Sequence, residues 1–558
     1  MISLFFLQAF ILTSCTLTGL LLYNFNGAVN KEFARRPFIF YTITGIIFIT
    51  VVVQISQLLF PVNLRYQLVF FTLLFLLIVF GFRNNYSTVI DYIKYLSRTT
   101  SPLLFAAFLL FWILVLLYNQ GPTTMDDTES YHIQSIKWIK EYGSVPGLVN
   151  LHNRYGFNTS WFSFVAVFST DINSNNFFTA ANGFLTILSG FYILEKCFKK
   201  QGNAQIAYAL LFILCMYYYP FFRGNITTAN YDYITTLICF VLFTEVIFHG
   251  KPGCYKYELL FWPVFLFTVR IINFPLLIVS AFTLMSAFQR SFKKSVTIIG
   301  ISALMILPFL IRNVILSGYL FYPSMALDFF NPDWKANKED TLKLLRYIKF
   351  FNRTNTGFVP LEQTATLKGG QWIIPWFRYM FAYDKPIFLM GIAGILSATV
   401  TSISRRNNTS NYKLAILATM IVQIILWFLI APDPRFIYGC LLLGTLILLQ
   451  FLARPLTLKT RPRAVLFIQS TLIIFTVLFG ITKARASGYE INWLLPRKLA
   501  TPSVKIVTVD QIPMAIPEKM PGNWNTRCYG VGLPCLYELH EGLHLRTHKI
   551  KDGFKTLK

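Results

Sequence analysis

The sequence predicts an all-α polytopic membrane protein with about 14 transmembrane or half-spanning helices and a small β-containing extracytoplasmic C-terminal domain. Of its 558 residues, 55% are apolar and 13% are charged, whereas soluble chains carry about 25% charged residues. Apolar runs long enough to cross a bilayer of ~30 Å recur along the chain. Runs 258–269 and 273–288 are shorter, which indicates half-helices or a tilted pair. Residues 502–509 alternate between apolar and polar side chains, a pattern typical of a strand.

The order of these runs divides the chain into three parts. Residues 1–101 form N-terminal transmembrane helices, and residues 102–481 form a transmembrane core. Two long outer loops, 119–175 and 313–385, interrupt that core. Residues 482–558 form an extracytoplasmic cap over it.

The net charge of +26 is large enough to suggest a nucleic-acid partner, but its placement argues against one. Lys and Arg concentrate in alternate connections between the apolar runs, and the positive-inside rule places such connections in the cytoplasm. Both termini and all three long polar segments then lie outside, at a bacterial inner (cytoplasmic) membrane. Membrane lipids are therefore the expected surroundings. The cytoplasmic groups are Lys31, Arg35 and Arg36; Arg83, Lys94 and Arg98; Lys196, Lys199 and Lys200; Lys251 and Lys256; Arg290, Lys293 and Lys294; Arg405 and Arg406; and Arg454, Lys459, Arg461 and Arg463.

Two cysteines stand apart from those in the apolar runs. Cys528 and Cys535 flank a Gly/Pro-rich turn in the polar C-terminal segment, where an extracytoplasmic location permits oxidation. A zinc site with His540, His544 and His548 is the competing interpretation. Their spacing is not that of a zinc finger, so a disulfide is favoured.

The most informative polar feature is an acidic cluster, Asp126, Asp127 and Glu129, directly after the apolar run 102–118. Three carboxylates within four residues beside a membrane repel one another and are costly to desolvate. They require a divalent cation, a water-filled cleft or a chemical role. Capping of the following helix would need only one of them.

The residues after the acidic cluster predict an amphipathic helix on the membrane surface, because isoleucines recur at helical spacing over 133–142. The stretch 145–161 that follows is dense in hydrogen-bonding groups. His152, Arg154 and Asn158 are candidates there for binding a phosphate or a sugar.

Several of these residues resemble the GT-C class of membrane glycosyltransferases, which includes protein O-mannosyltransferases and the aminoarabinose transferase that acts on lipid A. The resemblance covers residues 102–453. Within the class, the sequence is most similar to an uncharacterised bacterial branch. The N-terminal helices and the C-terminal cap fall outside it. The matching elements are Asp126-Asp127 with Glu129, Tyr131 and His132; Gly147-Leu148 with Asn150-Leu151-His152 and Arg154; Arg312-Asn313, Gly318 and Tyr322-Pro323; and Pro432 with Arg435-Phe436.

The resemblance implies an inverting enzyme that transfers a hexose or pentose from a polyprenyl-phosphate-linked donor to an envelope glycan, lipid or protein. Asp127 would be the catalytic base. Asp126 and Glu129 would orient the acceptor or share a divalent cation. The substrate-binding candidates are Tyr131, His132, His152, Arg154, Asn158, Arg270, Arg312 and Arg435, with the arginines as ligands of the donor phosphate.

Other functions remain open at this stage. A flippase or transporter of lipid-linked oligosaccharides would also need many helices and buried arginines. An O-antigen polymerase or ligase would use a long late loop such as 313–385. Arg270, Arg312 and Arg435 could also anchor helix ends to lipid headgroups by snorkelling.

Overall fold

The computed structural model describes most of the chain, and the structure below concerns that part alone. The described residues are 1–25, 36–83, 86–123, 125–170, 175–200, 202–217, 226–248, 252–288, 291–354, 359–404, 410–454, 462–487, 491–520 and 526–557. Several residues of the predicted cytoplasmic loops lie outside it, namely Lys31, Arg35, Lys251, Arg290, Arg405, Arg406, Lys459 and Arg461.

The chain is helical except near its end. The helices are α1 Ile2–Phe25, α2 Phe38–Ser56, α3 Leu64–Phe82, α4 Tyr86–Thr99, α5 Pro102–Asn119, α6 Ile133–Glu141, α7 Ser160–Phe168, α8 Ala180–Lys199, α9 Asn203–Tyr217, α10 Asp232–Phe248, α11 Lys256–Val269, α12 Leu277–Phe288, α13 Phe292–Ser317, α14 Lys338–Thr354, α15 Leu361–Thr366, α16 Ile373–Tyr379, α17 Asp384–Ser404, α18 Asn411–Ile430, α19 Tyr438–Leu452 and α20 Pro462–Ser487. The strands are β1 Val504–Val509, β2 Ile512–Pro517, β3 Leu543–Leu545 and β4 Phe554–Thr556.

Within the described ranges, ten helices are long and apolar enough to cross a membrane, if α12 and α19 are each counted with the 3-10 turn before them, as Ile271–Phe288 and Pro434–Leu452. The predicted class of a polytopic helical membrane protein is confirmed, but the predicted number of about 14 spans is not. Helix α8 ends in charged residues, and α9, α10 and α11 have 15, 17 and 14 residues. These four apolar helices are therefore too short or too charged to be counted as spans on their own.

The helices fall into two compact units. The first unit comprises Met1–Gly143, Trp161–Asn230 and Leu449–Thr501. Its tightest packing joins α1 to α2, where a Cβ on Gly19 would lie 1.8 Å from the carbonyl oxygen of Tyr41. A Cβ on Gly45 would lie equally close to the carbonyl oxygen of Cys15, so both positions require glycine for this approach.

Several segments meet at one end of the first unit. The amino group of Met1 donates to the carbonyl oxygen of Asn492 at 2.7 Å, and the backbone N–H of Asn492 donates to Gln120 Oε1 at 3.1 Å. The backbone N–H of Asn176 donates to the carbonyl oxygen of Arg497 at 2.9 Å. The start of α1, the end of α5 and the segment after α20 therefore lie together at one end of the first unit.

The second unit comprises Ser144–Ser160, Tyr231–Leu448 and Pro502–Lys558. Its β-structure consists of two antiparallel pairs, β1 with β2 and β3 with β4. Cys528 and Cys535 form a disulfide, which confirms the sequence prediction. Backbone hydrogen bonds from Ala515 to Pro534 and from Leu536 to Ala515 attach that bridge to β2.

Candidate functional site

The acidic cluster lies in the first unit, on a local distortion of the helical backbone. Residues Thr128–His132 form a π-helix turn that leads directly into α6. Such turns are rare and frequent at functional sites. Asp127 precedes the turn, and its side chain makes no capping hydrogen bond to it. Capping therefore does not explain this carboxylate.

The turn separates carboxylates from neutral residues. Asp126, Asp127 and Glu129 are partly exposed, whereas Thr128 and His132 are buried. The hydroxyl of Thr123 donates to Glu129. One side of this segment therefore presents carboxylates to the surroundings, and the other side packs into the first unit.

The buried side of the turn fixes His132. The ring lies 1% exposed, with Nδ1 at 3.3 Å from the hydroxyl of Thr128 and the ring of Phe162 at 5.2 Å. The Thr128 hydroxyl also accepts a hydrogen bond from the backbone N–H of Ala229 at 3.4 Å. Tyr131 is likewise buried. His132 and Tyr131, which are both predicted to bind substrate, therefore lie on the buried side of the π-helix turn and support it.

The prediction of a surface helix after the acidic cluster is wrong. In α6, the polar residues Gln134, Ser135 and Lys140 are buried along with the isoleucines. Lys140 Nζ donates to the carbonyl oxygen of Ser169 at 2.5 Å. The charged end of Lys140 can be buried in the first unit because a backbone carbonyl oxygen there accepts its hydrogen bond.

The second unit contains a compact arginine–aspartate cluster, formed by Asp232, Arg270, Asp433 and Arg435. Arg270 Nη1 donates to Asp232 Oδ1. Arg435 Nε lies 3.6 Å from Asp232 Oδ2 and 3.0 Å from Asp433 Oδ2. The Asp232 side chain is only 4% exposed, whereas those of Arg270 and Arg435 keep 23% and 19%. One buried carboxylate thus serves two guanidinium groups.

Aromatic contacts and backbone geometry hold this cluster in place. The guanidinium of Arg270 lies 3.5 Å from the ring centre of Phe436, which is a cation–π contact. Burial alone would lower the pKa of Arg270, but the Asp232 carboxylate, with Tyr231, raises it overall. Asp433 caps the short 3-10 turn Pro434–Ile437 by accepting from the backbone N–H of Arg435.

Two tryptophans fix the loop that carries Asp433. Trp427 Nε1 donates to the carbonyl oxygen of Asp433, and Trp376 Nε1 donates to that of Pro432, both at 2.6 Å. Indole donors of this kind hold the backbone in a single conformation. Arg435 is therefore a positioned side chain, which weakens its interpretation as a loose lipid anchor.

Sequence reasoning missed Asp232. It stands near the start of the apolar run 231–248, and an ionisable residue inside such a run is by itself a functional signal. That signal could have identified Asp232 from the sequence. The sequence does not indicate its two arginine partners, because they lie far along the chain.

Arg312 lies elsewhere in the second unit, near the end of α13. It is 2% exposed, and its Nη1 donates to Asn158 Oδ1. Asn158 Nδ2 in turn donates to the carbonyl oxygen of Phe309 at 3.0 Å. The structure therefore brings two predicted binding residues, Arg312 and Asn158, into direct contact.

The residues that follow Arg312 in the resemblance have structural roles. Asn313 Nδ2 donates to the carbonyl oxygen of Leu320 at 2.8 Å, which closes the turn after α13. Gly318 ends the helix with a φ of 79°, in the left-handed region that glycine favours. The Tyr322 hydroxyl donates to the carbonyl oxygen of Asn153 at 2.9 Å, and burial raises its pKa.

The loop 146–158 receives the C-terminal segment, residues 502–558. In this loop, the Asn150 side chain donates to the carbonyl oxygen of Trp334 at 2.9 Å and to that of Phe554 at 3.2 Å. It also accepts from the Thr556 hydroxyl at 3.0 Å. The backbone N–H of Phe554 donates to Pro146 at 3.0 Å. Three residues of this loop are predicted to bind substrate, and in the structure the loop contacts strand β4.

His152 and Tyr155 complete that contact. The His152 ring stacks on Tyr537 with 4.0 Å between ring centres, and the Tyr155 hydroxyl donates to the carbonyl oxygen of Cys535 at 3.1 Å. Burial, with the charges of Arg154 and His540, holds the pKa of His152 well below its usual range. His152 is therefore neutral here, and its Nδ1 accepts from the backbone N–H of Arg154.

A metal site was a further expectation for the acidic cluster. Among the residues that the structure describes, no group of three His, Cys, Asp or Glu side chains is placed to hold a metal ion. The zinc alternative for the C-terminal segment is replaced by the disulfide.

These features define the class of the protein: a polytopic helical membrane protein with ionisable clusters at helix ends and a disulfide-bridged β segment. The chain belongs to the family DUF8201, described as a domain of unknown function, which matches residues 1–442. No protein with a curated description matches the chain. The C-terminal segment lies beyond the matched residues.

Proposed function

We propose that this protein is an inverting GT-C-like glycosyltransferase that uses a polyprenyl-phosphate-linked sugar as donor. The acceptor is a glycan, lipid or protein of the cell envelope. The observation that carries the proposal is the state of Asp127. It is partly exposed at the start of a π-helix turn and is not used as a cap.

The proposed reaction is a single displacement. Asp127 accepts the proton of an acceptor hydroxyl, and the resulting oxygen attacks the anomeric carbon of the donor sugar. The bond between that carbon and the donor phosphate oxygen breaks, so the polyprenyl phosphate leaves with its electron pair. Attack from the face opposite the phosphate inverts the configuration. Asp126 and Glu129 orient the acceptor.

Within the second unit, Arg270 and Arg435 are the proposed ligands of a donor phosphate. Both guanidinium groups keep part of their surface exposed while Asp232 fixes them from the buried side. Arginine suits this role because its planar guanidinium binds phosphate oxygens through paired N–H groups. His132 and Tyr131 act as positioning residues beneath the acidic cluster.

In this proposal the reaction takes place on the extracytoplasmic face of a bacterial inner membrane. Two observations support this: the long apolar helices and the disulfide between Cys528 and Cys535. No nucleotide-linked sugar is available on that face, which favours a lipid-linked donor.

The test compares envelope glycans, by mass spectrometry, in cells that lack the protein and in cells complemented with variants. Asp127→Asn should abolish a sugar addition that the wild-type protein restores, a loss of roughly 10²–10⁴-fold in rate for a missing base. Asp91→Asn is the matched control, because Asp91 is an exposed acid on α4 of the same unit. Wild-type glycans in the Asp127→Asn cells would refute the assignment of the base.

The same experiment separates the alternatives. Accumulation of a lipid-linked sugar facing the cytoplasm, with no sugar missing from existing acceptors, would indicate a flippase. Shortened or unattached polysaccharide would indicate an O-antigen polymerase or ligase. Loss of one defined sugar identifies both donor and acceptor of the proposed transferase.

A further inference from the structure

An open apolar groove runs along the membrane-spanning helices α1 and α3 of the first unit. Its walls come from α1, α3 and the end of α7, and its volume is about 520 Å³. That volume is far larger than the gaps between packed side chains, and it lies within the range of ligand sites. None of the described residues that line the groove is charged. They include Phe10, Leu64, Leu68, Phe71, Phe75 and Phe168.

The groove exists because α1 and α3 approach each other closely at one end only. At that end, a Cβ on Gly81 would lie 2.4 Å from the side chain of Leu21, so the two helices touch. Toward the other end, the rings of Phe10, Phe71 and Phe168 contact one another, with centres 4.9 to 6.0 Å apart. These three rings hold α1, α3 and α7 apart. The groove is therefore part of the packing of the first unit.

The groove has a polar end, at the start of α3. Gln67 is buried there, and its Nε2 donates to the carbonyl oxygens of Ala166 at 3.0 Å and Ser169 at 2.9 Å. These bonds attach the end of α7 to α3. Arg65 is exposed in the first turn of α3. It precedes Leu68 by three residues, so the cation and a wall of the groove lie on neighbouring parts of the helix surface.

The length of the groove matches the depth of one leaflet. Helix α3 has 19 residues and is about 29 Å long, close to the ~30 Å of the hydrocarbon layer. Its lining residues run from Leu64, the first residue of the helix, to Phe75, which lies about 16.5 Å further along the axis. Half of the hydrocarbon layer is about 15 Å thick. The groove therefore extends from the bilayer surface to the middle of the bilayer.

Helix α3 is also the least covered of the ten described spans, with 11% of its apolar window buried. Val69 and Leu73 on its surface are 59% and 60% exposed. In a membrane this surface contacts acyl chains. An empty groove beside those chains would forfeit van der Waals contacts along its walls, so a chain that enters it is stabilised.

We propose that this groove binds one acyl chain of a membrane phospholipid, with the headgroup at the level of Arg65. The aromatic walls supply contact area, and the depth of one leaflet suits a single acyl chain. A polyprenyl chain is several times longer than one leaflet is deep and would leave most of its length outside. The residues proposed for sugar transfer do not line this groove, so the site does not depend on that function.

The experiment uses the full-length protein in nanodiscs of phosphatidylglycerol and phosphatidylethanolamine. A small share of the phosphatidylethanolamine carries a diazirine near the end of one acyl chain, which light attaches to the residues that it touches. Peptide mass spectrometry should find the label between Phe71 and Phe75. The matched surface is the middle of α13, where Leu304 and Leu307 are exposed. The yield in α3 should be about fivefold higher, because a chain in a groove contacts more atoms than one on a convex helix. Equal yields would show only the general lipid shell and would refute the proposal.

A variant that fills the groove tests the same site. Thr72 lines the groove and is exposed, so Thr72→Trp places an indole in the groove without disturbing a packed core. The label on Phe75 should fall about fivefold, because the indole takes the place of the chain. Leu73→Trp is the matched control, since Leu73 is the next residue and is not among those that line the groove. It should keep the label. Undiminished labelling in Thr72→Trp would contradict the proposal.

Two further outcomes would identify a different occupant. Unlabelled undecaprenyl phosphate should compete no better than unlabelled phosphatidylethanolamine. If it removes the label at much lower amounts, the groove binds a polyprenyl chain. If α3 stays unlabelled while two copies of the protein cross-link through it, the groove is a contact between copies. Either result would overturn the assignment to a phospholipid.

Discussion

The shared carboxylate of Asp232 leads to the most quantitative prediction. In Asp232→Asn, two guanidinium groups lose their common counter-charge, although each keeps about a fifth of its side chain exposed. Removal of one partner from a buried ion pair costs about 3–5 kcal/mol. Because the arginines can recover some hydration, we expect the free energy of unfolding to fall by about 3 kcal/mol, at the lower end of that range.

Single arginine variants should cost less. In Arg270→Gln, Asp232 still has Arg435 at 3.6 Å, so the expected loss is about 1–2 kcal/mol. In the double variant Asp232→Asn with Arg270→Gln, the two losses should not add, because both remove the same contact. The expected coupling free energy is about 1–2 kcal/mol.

The assay is equilibrium unfolding in mixed micelles with increasing sodium dodecyl sulfate, followed by tryptophan fluorescence. Asp328→Asn is the control, because Asp328 pairs with Lys335 at 2.6 Å but is 42% exposed. Exposed pairs contribute about 0–1 kcal/mol. If Asp232→Asn costs no more than Asp328→Asn, or if the double variant is additive, the shared-carboxylate argument is wrong.

Two further predictions concern the attachment of the C-terminal segment to loop 146–158. First, the pKa of His152 is lowered in the folded protein, so the folded state binds fewer protons at this residue than the unfolded state. The C-terminal segment should therefore stay fully attached to the loop above pH 6.5, the ordinary pKa of histidine. The attachment should weaken as the pH falls below 6.5. Limited proteolysis of the segment from pH 8 to pH 5 measures this, and the same profile in His152→Gln would contradict it. Second, Gly147→Ala should release the segment, because Gly147 has a φ of 68° and an added Cβ would lie 2.0 Å from the carbonyl oxygen of Phe554. Gly300→Ala, where an added Cβ meets nothing within 4 Å, should leave the protease resistance unchanged.

Local signals predicted part of this structure correctly. The bridge between Cys528 and Cys535 could be inferred because both cysteines flank one turn in a polar segment. The helical membrane class followed from composition alone. The number of spans could not be inferred in the same way, because apolar residues also form helices that are buried in a protein core. Length and charge decide whether a helix such as α8 or α10 can cross a bilayer.

Partners distant in sequence could not be inferred. Asp232 meets residues 38 and about 200 positions later in the chain, and no local pattern encodes that meeting. Similarly, the amphipathic pattern of α6 suggested a surface helix because the sequence does not reveal the carbonyl oxygen of Ser169 that accepts from Lys140. The partner of Asn150 in loop 146–158 could not be inferred for the same reason, because Phe554 lies 404 residues later in the chain.

The distance between that loop and its strand has a consequence for biosynthesis. Asn150 and Phe554 are 404 residues apart, so the loop emerges from the ribosome long before its partner exists. At about 5–20 residues per second, the interval is roughly 20–80 s. Throughout that time Asn150 and its neighbours are available to chaperones, proteases or a competing strand. Strand β4 must therefore be synthesised before loop 146–158 can be covered, and a chain cut before Phe554 should insert into the membrane but leave that loop accessible to proteases.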